Sequence, residues 1–135
     1  MDRTETSGGY FEWENEHVLI FTATIKEAKA EDVISYFDGL ETITKKTTDS
    51  FILIFDASQA GWMNESVRKL TADMVRDFSK KYPNKVLKRY FVIQNTVVRI
   101  MLKAIDILAK HKYKQEIYGT RQGAIDAALD EFQQL

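Results

Sequence analysis

A chain of 135 residues, 44% hydrophobic and 12% aromatic, has the size of one domain and enough apolar mass to close one core. The absence of cysteine excludes disulfides, thiolate chemistry and zinc-cysteine sites, and fits a reducing compartment. A net charge of −1 hides an uneven distribution, with 13 acidic and 5 basic side chains in residues 1–66 against 7 and 14 in residues 67–135. Solvated helix faces account for such a division as readily as an acidic partner does.

The opening MDRTETSGG has no apolar signal segment, and no run approaches the roughly 18 apolar residues of a membrane span. The reading is therefore a cytoplasmic chain without an integral membrane segment, residues 1–9 being a disordered tail and 10–135 a single domain. YFEWE alternates, with Phe11 and Trp13 on one face, as a half-exposed strand does. Asn15 and Glu16 break the pattern before HVLIFTA, a β-branched and aromatic second strand that makes an antiparallel hairpin with the first.

The period changes over residues 30–46, where Val33, Phe37, Leu40 and Ile43 share one side of a helix. FILIF, residues 51–55, is short and continuously apolar, as a strand covered on both faces should be. A helix over 64–81 carries the stripe Val67, Leu70, Met74 and Phe78 and stops before Pro83. VLKRYFVI, residues 86–93, is a strand. Asn95 is placed to cap a helix reaching Lys110, residues 116–118 form a last strand, and Thr120 caps a closing helix that buries Ile125, Ala128, Leu129 and Phe132. The order β-β-α-β-α-β-α-β-α predicts an α/β fold with a mixed, mainly parallel sheet and helices packed on it.

Chemistry is hard to find. Asp56 ends a hydrophobic strand as a phosphatase nucleophile would, but such an enzyme needs an acid two positions on, and that position is Ser58. No GxxxxGK, GxGxxG or GxSxG stretch occurs. His17 and His111 stand alone, without metal-ligand spacing. The expectation is no catalytic residue, no cofactor and no metal site, with Asp56 accepting backbone N–H groups to hold the turn that follows it.

The order of elements and the stretch FILIFDASQAGWMNES resemble the STAS family, the anti-sigma-factor antagonist-like domains, and more closely their bacterial STAS/Sec14-like branch. Asp56, Gly61 and Trp62 occupy matching places, as does the ending EIYGTRQGAIDAALDEF. The resemblance implies a regulatory module that recognises a protein partner through Asp56, Ser58, Gly61, Trp62, Asn64 and Ser66. Antagonist members carry Asp-Ser-Ser-Gly at the start of this helix and are phosphorylated there. Asn64, Glu65, Ser66 and Val67 stand opposite it, so Ser66 alone matches as a candidate phosphorylation site.

The helix TVVRIMLKAIDILAK, residues 96–110, has more apolar surface than one side of a sheet can cover. Its polar residues Arg99, Lys103, Asp106 and Lys110 fill an arc of about 60° and apolar residues nearly all the rest. Val97, Met101, Ile105 and Leu108 are read as the wall that something must shield. A neighbouring helix could do so, or a second copy in a homodimer, or a small apolar ligand or lipid, which the Sec14-like resemblance implies. Met63, Met74 and Met101 would suit an adaptable wall. Residues 76–114 hold eleven Lys or Arg with aromatics interleaved, but the pI near 6.1 and the lack of a recognised binding motif argue against a nucleic-acid partner.

Overall fold

A computed structural model describes residues 3–109 and 115–133. The strands are β1 (Thr4–Thr6), β2 (Gly9–Asn15), β3 (Val18–Ala23), β4 (Phe51–Asp56), β5 (Val86–Val92) and β6 (Gln115–Tyr118). The helices are α1 (Ala30–Lys46), α2 (Glu65–Lys81), α3 (Thr96–Ala109) and α4 (Arg121–Gln133). The six strands lie in one sheet in sequence order. β1, β2 and β3 pair antiparallel, and β3 through β6 run parallel. The predicted order is thus found, with one strand added at its beginning.

That strand corrects the reading of residues 1–9 as a tail. TETSGG is polar, but Thr4 to Thr6 pair with Phe11 to Gly9 across a tight turn. The Thr6 hydroxyl donates to the Gly9 carbonyl at 2.9 Å, and the Ser7 hydroxyl donates to Asp32 Oδ1 on α1 at 2.7 Å. Gly9 is required by space, since a Cβ there would lie 2.1 Å from the Thr22 carbonyl oxygen.

Strand side chains alternate between two cores. Phe11, Leu19, Phe21, Leu53, Phe91 and Ile93 face α1, α2 and α3, whereas Val18, Ile20, Ile52, Ile54, Tyr90 and Val92 face α4 alone. One helix suffices on the second face because small residues Ala124 and Ala128 bring it close to the strands. The expected caps Asn95 and Thr120 are found, and Asn64, read as the first residue of its helix, proves to be a third cap. Asn64 Oδ1 accepts from Val67 N at 2.9 Å, Asn95 Oδ1 from Val97 N at 2.8 Å, and Thr120 Oγ1 from Gly123 N at 3.0 Å. Among the described residues no helix is long and apolar enough to cross a membrane.

Helix α3 packs chiefly against α2, and that contact decides which side of it is hidden. Val98, Met101, Ile105 and Ala109 are buried, while Val97, Ile100, Ile107 and Leu108 remain exposed, Ile107 at 78%. The expected wall of Val97, Met101, Ile105 and Leu108 therefore divides. At about 100° per residue, Val97 and Leu108 sit near one edge of the buried arc whose centre lies between Ile105 and Val98. The neighbouring helix shields only half the cylinder.

Candidate functional site

The loop after β4 is held by Asp56, which is 5% exposed. Its Oδ1 accepts from the Ser58 amide at 3.0 Å and the Ser58 hydroxyl at 2.6 Å. Its Oδ2 accepts from Arg121 Nη1 at 3.1 Å, and Arg121 also donates to Thr22 Oγ1 at 2.8 Å and Glu12 Oε1 at 3.0 Å. A carboxylate so occupied fastens the β4 turn to the start of α4 and to β2 and β3. The sequence reading anticipates the amide bond but not Arg121, which is 65 positions away.

Gly61 lies against the loop after β3, where a Cβ would meet the Lys26 carbonyl oxygen at 2.6 Å. Trp62 is 54% exposed, with the Arg68 guanidinium 4.7 Å over its ring. Ser66 is exposed in the first turn of α2, its hydroxyl donating to Asn64 Oδ1 at 2.8 Å. Asp56, Ser58, Gly61, Trp62, Asn64 and Ser66 thus share one loop and helix start at the carboxyl end of the sheet, though Asp56 points into the protein and Trp62 and Ser66 out of it.

Beneath that loop, between the sheet and α1, α2 and α3, lies a partly open cavity of about 100 Å³. Phe21, Phe55 and Phe91 form its floor, Val33 and Tyr36 one wall, and Met63, Val75, Met101 and Ile105 the other. Ala57, Ala60 and Gly61 from the β4 loop and Ile25, Lys26 and Ala28 from the β3 loop surround its mouth. This is where α/β sheets usually bind ligands, outside the carboxyl ends of parallel strands. The methionines serve as adaptable lining, the Met63 amide resting 3.3 Å from Met101 Sδ. Met74 packs at the border of the same core.

Polar side chains that line this apolar space are Lys26, Asp32, Tyr36, Thr71, Arg89 and Asp106, and of these Tyr36 and Asp106 both feel the charge of Arg89. Tyr36 is 7% exposed and its ring is clamped by Phe21 at 4.7 Å and Phe37 at 4.9 Å, both edge to face. Its hydroxyl is buried with no hydrogen-bond partner. Burial pushes that hydroxyl's pKa up, and the adjacent positive charge of Arg89 opposes the shift only in part. Arg89 follows the inward parity of Phe91 and lies with its guanidinium 5.3 Å over that ring. Burial likewise raises the Asp106 carboxyl, again against the opposing charge of Arg89.

Sequence reasoning missed this trio. A signal existed at Arg89, which shares the strand parity of Phe91 and Ile93 and must point into the same core. Nothing marked Tyr36, a flank of the α1 stripe, or Asp106, which falls in the polar arc of α3.

The histidines do not converge. His17 stacks on Phe132 at 4.7 Å, and His111 lies outside the described residues. Among those residues no three His, Asp or Glu side chains are grouped to hold a metal. The basic run also disperses: Arg76 pairs with Asp73, Lys81 with Glu41 and Lys88 with Glu131. Lys85 donates to the Thr47 and Thr48 carbonyls. Lys110, Lys112 and Lys114 lie outside the described residues.

An antiparallel start, a parallel remainder and three helices against one define a SpoIIAA-like, that is STAS-like, α/β fold. Among solved structures the chain is similar to an uncharacterized DUF3478-family protein with a SpoIIAA-like fold from Shewanella loihica PV-4. The TM-score is 0.59 at 10% identity, over 94% of this chain and 90% of that one. The family model for the divergent CRAL/TRIO domain matches residues 15–133, and the chain belongs to that family. Comparison with curated proteins gives no match.

Proposed function

We propose that this domain is a non-enzymatic, cytoplasmic carrier or sensor that holds a small, largely apolar ligand in the cavity between α1, α2 and α3. The observation that carries the reading is an apolar cavity with an unpartnered buried hydroxyl, Tyr36 Oη, on its wall. Native proteins seldom leave such a group without a partner. The Sec14-like character of the fold and the CRAL/TRIO family favour the same reading.

Benzene, which enters apolar cavities of about 150 Å³, should raise the melting temperature in a concentration-dependent way as a ligand of the folded state alone does. A native mass spectrum of freshly purified protein should show an added small molecule that leaves on denaturation. No benzene shift together with a bare polypeptide mass would overturn the reading.

A second reading is regulatory recognition of a protein partner by the loop from Asp56 to Ser66, favoured by Trp62 standing exposed beside Arg68. Exposed tryptophan and arginine are the side chains most often dominant in interfaces. Trp62→Ser should then abolish capture of the partner by tagged protein while changing stability by less than about 0.5 kcal/mol. Undiminished capture by the variant sinks this reading.

A further inference from the structure

We propose that the ligand's polar end is a carboxylate, seated between the Arg89 guanidinium and the Tyr36 hydroxyl, with its apolar body against Phe21, Phe55, Met101 and Ile105. This rests on the cavity being the ligand site.

Arg89 carries five N–H donors in a planar fork and no acceptor. Among the described residues no carboxylate lies within salt-bridge distance of it; its guanidinium rests over the Phe91 ring, beside the Tyr36 hydroxyl and within electrostatic reach of the Asp106 carboxyl. A half-buried cation without a paired anion is costly to maintain. Tyr36 Oη, beside it, has the guanidinium for a neighbour and no acceptor for its own proton. Both groups can donate, so the missing component is a hydrogen-bond acceptor, and a planar carboxylate fits the guanidinium fork with one oxygen left for the tyrosine.

Charge limits the choice further. Asp106 from α3 and Asp32 from α1 line the same cavity as Arg89 and Lys26, so a doubly charged phosphate would meet two carboxyls as well as the two cations. A single negative charge is the better match to the one guanidinium inside the cavity, Arg89, since Lys26 belongs to the loop at the mouth. Size points to a short body, because the partly open cavity holds only about 100 Å³. A longer chain would have to emerge at the mouth between the β3 and β4 loops.

The test is calorimetric titration of the full chain with butanoate, hexanoate and octanoate, each beside the alcohol of the same length. Hexanoate should bind at least about tenfold more tightly than hexanol, the difference that one charged hydrogen-bonded pair supports. In Arg89→Met that ratio should fall to about one, and in Tyr36→Phe it should fall several-fold. Tyr36→Phe keeps the ring packing and, by removing an unpartnered hydroxyl, should melt at a higher temperature than the parent when no ligand is present. Preference for butanoate over octanoate marks a small free acid, and the reverse marks an acyl chain that extends through the mouth. Equal affinity for acid and alcohol overturns the carboxylate inference while leaving the cavity as a ligand site. A preference that survives Arg89→Met also overturns it. If neither acid nor alcohol binds, the cavity reading falls and this inference with it.

Discussion

Phe21→Ala is expected to destabilise the fold by about 3–5 kcal/mol, the range for deleting a packed aromatic from a core. Phe21 is 3% exposed and stands where β3 meets α1, with ring centroids of Phe11 and Tyr36 each at 4.7 Å and Phe55 at 5.1 Å. Truncation removes both the buried area and the edge-to-face contact that positions Tyr36. Because Phe21 also lines the cavity, the lost ring enlarges a space that already exists instead of opening a separate one. Benzene should therefore restore part of the lost stability, and restore more in the variant than in the parent. Denaturant unfolding with and without benzene reads both effects. A loss below about 1 kcal/mol would mean that the aromatic floor is not packed as described.

The second large effect is expected at Arg121. Its side chain is 34% exposed, yet it donates to Thr22, Asp56 and Glu12, tying α4 to three strands. Arg121→Met leaves the Asp56 carboxylate, which is 7% exposed at its side chain, without a counter-charge. Removing one partner of a buried pair costs about 3–5 kcal/mol. Partial exposure of the arginine, and the remaining Ser58 donors, bring the expectation here to about 2–3 kcal/mol. Asp56→Asn in the Arg121→Met background should recover part of that loss, since it removes the uncompensated charge while keeping an acceptor for Ser58. The coupling from the double-mutant cycle should exceed about 0.5 kcal/mol. Additive effects would show that Asp56 does not depend on Arg121, and would free its carboxylate for a different role.

Both expectations rest on how strands and helices were assembled, and the sequence was eloquent about the parts. Alternation in YFEWE and the continuous run FILIF marked a half-covered strand and a fully covered one, because a side chain's face in a strand depends only on parity. The stripe Val33, Phe37, Leu40 and Ile43 marked α1 to the residue, since 3.6-residue periodicity and local caps are properties of neighbours in sequence. Asn95 and Thr120 announced two helix starts for the same reason. The polar TETSGG carried no such signal. Its strand exists because Gly9 lets β2 approach the Thr22 carbonyl and because Ser7 reaches Asp32, contacts made with residues 13 and 25 positions away.

The cavity belongs to that second category. Tyr36 comes from α1, Arg89 from β5 and Asp106 from α3, and no spacing within the chain relates them. Their meeting follows from α1, α2 and α3 sharing one face of the sheet while α4 takes the other. The orientation of α3 was open in the same way. Its sequence showed that apolar residues surround most of the helix, but only contact with α2 chose Met101 and Ile105 for the inside and left Val97 and Leu108 outside. Local periodicity and capping depend on residues a few positions apart and are written in the chain. The convergence of a guanidinium, a hydroxyl and a carboxyl on one apolar space depends on how distant elements pack, and the tertiary structure alone decided it.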